Sequence, residues 1–196
     1  MEMQNTRASQ VVSAALILTV VTQIAYMALG ASGQSHIAYP IWRTEALLGL
    51  VVAVAGFVIA RRDALVGGCL VAGGIFNLIQ TGMGLTLFYQ LGYGGEGEPN
   101  PVFMPVLGFS FFLYFAAKAA FGIAAVELGR QLWRRAAGAW RIAGLLAAIT
   151  GVAALLVNAT AMAIGMRVVF PAGATGTVAT FFLALCLLAK LPSEAD

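Results

Sequence analysis

The chain has 196 residues, 61% of them hydrophobic and only 10% charged, and a formal net charge of +3. Soluble domains carry about 25% charged residues, so this composition excludes a water-facing surface and points to a bundle embedded in lipid. The positive excess lies in termini and short connections, with no basic patch interleaved with aromatics, and nucleic acid is excluded as a partner.

The first apolar span is expected over about 11–29, with Gln23 and Tyr26 in its second half. The preceding MEMQNTRASQ has no convincing small-residue cleavage site after the apolar run, so this span reads as a retained helix. A second span follows at about 44–60, which places Glu45 at headgroup level, and Arg61, Arg62 and Asp63 make a tight turn. The third span, about 64–88, is glycine-rich and carries Asn77 and Gln80. YQLGYGGEGEPNP opposes helix and strand alike and reads as a loop.

The fourth span, about 104–127, contains Lys118 as its only interior charge. An arginine-rich link with Trp133 and Trp140 leads to a fifth span over about 142–166, which carries Asn158. RVVFPAGATG reads as a turn into a sixth span over about 175–191. A bilayer crossing needs about 20 residues, which most of these spans reach, while the second and sixth are short. The expectation is an all-α polytopic integral membrane protein: six transmembrane helices in a compact bundle, one transmembrane domain over 1–196.

With an inner N-terminus, one face receives Arg7, Arg61, Arg62, Arg130, Arg134, Arg135, Arg141 and Lys190. The other receives only Arg43 and Arg167, with Glu96 and Glu98. Over short loops this bias predicts both termini cytoplasmic and a multi-pass protein of the cell inner membrane. Internal repetition is weak: Gly49/Gly56 and Gly144/Gly151 share a seven-residue spacing, which fits helix packing. Asn158-Ala159-Thr160 matches a glycosylation acceptor but falls inside the fifth span.

Lys118 is the sharpest chemical signal, because a charge deep in hydrocarbon is costly and marks a functional site by default. Tyr114 and Gly122 share its helical face, one turn to either side. Two readings stand: an anion- or carbonyl-binding ammonium, or a structural lysine whose amine meets Asn77, Asn158 or a backbone carbonyl. With Glu45 and Glu127 expected at opposite interfaces, no acid is expected at its depth. A Schiff base to a chromophore is disfavoured for the same reason.

On the third span Gly73, Asn77, Gln80 and Gly84 line one face, as packing glue or as a polar lining. The candidate solute-binding set is Lys118, Tyr114, Asn77, Gln80 and Asn158. Arg43, Glu45 and Arg167 are expected at an outer mouth, with Tyr39, Trp42 and His36 nearby. Interfacial anchoring is the plainer role for those aromatics.

Enzymatic motifs such as HExxH, GxSxG and paired aspartates are lacking, and a lone histidine cannot build a bis-histidine haem site. Cys69 and Cys186 read as small buried hydrophobes, and no metal or cofactor is implied. The leading functional expectation is a small transporter or channel for an anionic or polar solute, centred on Lys118. The alternatives are a non-catalytic accessory subunit of a larger membrane complex and a lipid-, quinone- or pigment-binding protein using the aromatics around Phe109 to Phe115. Membrane lipids, a small-molecule solute, and other membrane subunits or further copies of the chain are the partners considered.

Overall fold

A computed structural model describes residues 2–30, 38–92 and 100–189. His36, Glu96, Glu98 and Lys190 lie outside the described residues. The described residues form an all-helical, membrane-spanning bundle of five helical segments long and apolar enough to cross a bilayer. They are α1 (Glu2–Gly30), α2 (Ala38–Ala60), α3 (Ala64–Met83, extended by a π-helical turn over Gly84–Phe88), α4 (Phe103–Arg135) and α5 (Gly138–Leu188).

This corrects the sequence-based count of six spans. The spans at 142–166 and 175–191 belong to one 51-residue apolar helical segment, α5. Its first arm, Gly138–Ile164, passes into its second arm, Val169–Leu188, through a 3-10 turn at Gly165–Val168 rather than a loop. The reversal occurs at Gly165, whose φ of 76° is open to glycine and strained for other residues. The arms then run back along one another, with Asn158 donating to the Ala172 carbonyl at 3.2 Å and Cys186 beside the Ala143 carbonyl.

Proline explains why α2 and the second arm of α5 start at Ala38 and Val169, well before the hydropathy pattern suggests. Pro40, Pro105 and Pro171 are each the third residue of a helical stretch. In a first turn the missing N–H breaks no intrahelical bond and the fixed φ suits the helix. Residues that look like loop in sequence are therefore helix. The consequence is largest for α2, which begins at Ala38 rather than near Thr44. Glu45 then lies seven residues into the helix, about 10 Å from its start at 1.5 Å per residue.

Packing follows a closed order: α1 on α2, α2 on α3, α3 on α4, α4 on the second arm of α5, and that arm back on α1. Among the described residues, the first arm packs only on α4 and on the rest of α5, outside this ring. No Cα of α1 lies within 8 Å of one in α4. Side chains alone fill the space between them, and this is where the polar residues gather.

Without water, helix contact depends on close backbone approach, which small residues permit. At the α2–α3 crossing a Cβ on Gly49 would sit 2.9 Å from the Gly74 carbonyl oxygen. At the α4–α5 crossing Gly122 faces Gly151, and Gly129 faces Gly144 with 2.5 Å available. The seven-residue glycine spacings are thus packing signatures on two different helix pairs.

At the arginine-rich end, Asp63 caps α3 by accepting from the Val66 N–H at 2.9 Å, and its other oxygen accepts from Gln131 Nε2 of α4 at 2.8 Å. Asp63→Ala removes both and should lower stability by about 1–2 kcal/mol. Thermal melting in detergent checks this; an unchanged midpoint would show the cap to be dispensable.

Candidate functional site

Lys118 is 1% exposed and sits within the run AAKAA of α4. Alanine favours helix and leaves room beside the lysine stem. Gly176 of the second arm uses that room: a Cβ there would come within 2.7 Å of Lys118 Cγ and Cδ. The stem is thereby held against α5 and the ammonium is directed across the ring.

The ammonium donates to Gln23 Oε1 of α1 at 2.7 Å. The same oxygen accepts from Thr177 Oγ1 of α5 at 3.0 Å. The Tyr114 ring centroid lies 5.4 Å from Nζ and presents its electron-rich face to the cation. Three separate elements therefore converge on one buried positive charge.

Glu45 is the principal difference from expectation. It is 6% exposed, inside the bundle rather than at a mouth, because α2 starts six residues before Thr44. Its carboxylate accepts from Thr22 Oγ1 of α1 at 3.0 Å. Glu45 and Lys118 lie in each other's electrostatic field, so the lysine does have an acid in reach. They are not in direct contact: Thr22 holds the acid and Gln23 holds the base. Consecutive helical residues point about 100° apart, so this pair of α1 side chains serves two neighbours at once.

Asn77 joins the arrangement through the backbone, donating from Nδ2 to the Glu45 carbonyl at 3.3 Å. Thr81, fully buried one turn on, donates back to the Asn77 carbonyl. Gln80 is half-buried on the same helix and is not brought to the lysine. Asn158 lies elsewhere, between the arms of α5, donating to the carbonyls of Ala154 and Ala172. Its Oδ1 is buried with no hydrogen-bond partner among the described residues. Arg43 and Arg167 are exposed at helix starts and are not drawn to Glu45.

Of the expected set, the structure gathers Lys118 and Tyr114 directly and Asn77 at one remove. It adds Gln23, Thr22 and Thr177. The available signal for the first two was Thr22-Gln23 itself, two successive polar residues in an otherwise apolar run. Thr177 carried none, since threonines near helix ends are common and only the fold places this one opposite α1. Among the described residues no group of three or more metal-binding side chains occurs.

Comparison of the chain with protein families, with curated proteins and with solved structures returned no match.

Proposed function

We propose that this multi-pass membrane protein is a small transporter or channel for a small anionic or polar solute, seated in a cell inner membrane. Its path runs through the polar centre around Lys118, with Gln23, Thr177, Tyr114 and Glu45 as lining groups. The observation that carries the reading is a wholly buried ammonium with one acceptor among the described residues, placed where α1 and α4 meet only through side chains. An ammonium has three donors, so a solute carboxylate or carbonyl has donors left to engage. The offset carboxylate of Glu45 tempers the positive field, which favours passage over permanent capture.

A purely structural pair would be expected to close the gap, since buried charges gain most in direct contact. Here each charge is instead held by a neutral partner on α1. The test is efflux of chloride, formate and acetate from proteoliposomes holding the purified chain. Efflux well above protein-free vesicles for at least one of them is expected; rates equal to empty vesicles for all three would overturn the assignment.

A further inference from the structure

We propose that the arginine-rich end of the bundle carries a binding site for the phosphate-bearing headgroup of an anionic phospholipid, centred on Trp133, Arg134 and Arg141. This inference stands apart from the solute path. The Gln131–Asp63 bond ties the end of α4 to the α2–α3 turn, so Arg61 and Arg62 share this end with the α4–α5 corner. Arg7 joins them, because its neighbour Ala8 packs in the cluster that holds Ile59 and Val66.

The described carboxylates at this end are already engaged. Glu127 holds Arg130 at 2.8 Å and accepts from Gln131 at 3.0 Å, while Asp63 caps α3. Arg61, Arg62, Arg134 and Arg141 are all exposed, leaving a local surplus of positive charge. That surplus alone would serve topology.

The corner adds a shaped element. Arg141 Cζ lies over the Trp133 ring, 4.3 Å from its centroid, a cation–π pair joining the end of α4 to the start of α5. Trp133 and Trp140 are 38% and 44% exposed, indoles of the kind that settle at the headgroup level. A guanidinium fixed on a ring has lost much of its freedom before any ligand arrives, which favours binding. Its planar donors match two phosphate oxygens at once. Arg134 lies in the same last turn of α4 and is exposed, so a second arginine belongs to this end.

The experiment uses the full chain in nonionic detergent, titrated with phosphatidylglycerol, phosphatidylcholine or inorganic phosphate, and read by native mass spectrometry and thermal melting. Phosphatidylglycerol should form discrete adducts and raise the melting temperature, while phosphatidylcholine and inorganic phosphate do neither. Arg134→Gln and Arg141→Gln should each weaken phosphatidylglycerol binding roughly fivefold, as expected for one surface arginine near an anionic headgroup. Equal adducts with phosphatidylcholine would overturn the headgroup assignment, and inorganic phosphate binding as well as the lipid would overturn the lipid. Unchanged phosphatidylglycerol affinity in both variants would overturn the site. If neither variant folds, Arg61→Gln/Arg62→Gln on the exposed turn decides: weaker lipid binding supports the site, and unchanged binding overturns it.

Discussion

Replacing Lys118 with methionine should reduce anion efflux from proteoliposomes by at least about tenfold, the effect of roughly 1.4 kcal/mol in a barrier or an affinity. Methionine keeps most of the stem that packs on Gly176 and removes the charge together with its hydrogen bond to Gln23, whose oxygen keeps the Thr177 hydroxyl. The same change leaves Glu45 buried without the positive field that offsets it. Stability should therefore fall as well, on the order of 2 kcal/mol, because removing one member of a buried charged set strands the other. The two effects separate in the double variant Lys118→Met/Glu45→Gln. Neutralising both charges should restore the melting temperature but not the efflux. If efflux returned with stability, the lysine would be a structural residue and its transport role would fall.

The second large effect concerns packing. A Cβ placed on Gly67 would overlap the backbone nitrogen and Cα of Ala60, where the Arg61-Arg62-Asp63 turn folds α3 tightly against α2. Backbone cannot move aside as a side-chain tip can, so Gly67→Ala should force the helices apart and lower stability by about 2–3 kcal/mol. At Gly68, the next residue, a methyl group would meet nothing within 4 Å. Gly68→Ala should be neutral or slightly stabilising, by up to about 1 kcal/mol, since alanine is the better helix former. Melting both variants under one condition reads the difference directly. Equal melting temperatures would show that the α2–α3 contact yields more readily than its geometry indicates.

The helical bundle was legible in the chain because long apolar runs, sparse charge and short polar links leave few alternatives in a lipid solvent. Lys118 was legible for the same reason, as a charge in the middle of such a run. Span ends were harder. Pro40 and Pro171 look like breaks in sequence, yet a proline in a first helical turn breaks nothing. That single ambiguity moved Glu45 from the interior to the interface, and it placed the start of the second arm of α5 too late. The Gln23 contact with Lys118 spans 95 positions of sequence. Only the closed packing order brings α1 opposite α4, and no local pattern in either helix encodes that. Asn158 shows the converse. Its position deep in a span suggested a lining group, but its donors go to the Ala154 carbonyl of its own arm and the Ala172 carbonyl of the neighbouring one.

Thr177 offers the most direct test of whether the polar centre is a path. Its hydroxyl lies at the meeting point of α1, α4 and α5, bonded to the oxygen that also receives Lys118. With Cys69 and Cys186 replaced by alanine, Thr177→Cys can be treated in sealed proteoliposomes with a small, anionic, water-soluble methanethiosulfonate. A centre that passes anions should let the reagent in, so the introduced thiol should be labelled and efflux should fall together with labelling. A thiol that stays unlabelled in the folded protein, yet reacts once the protein is unfolded in detergent, would show a dry core and contradict the path.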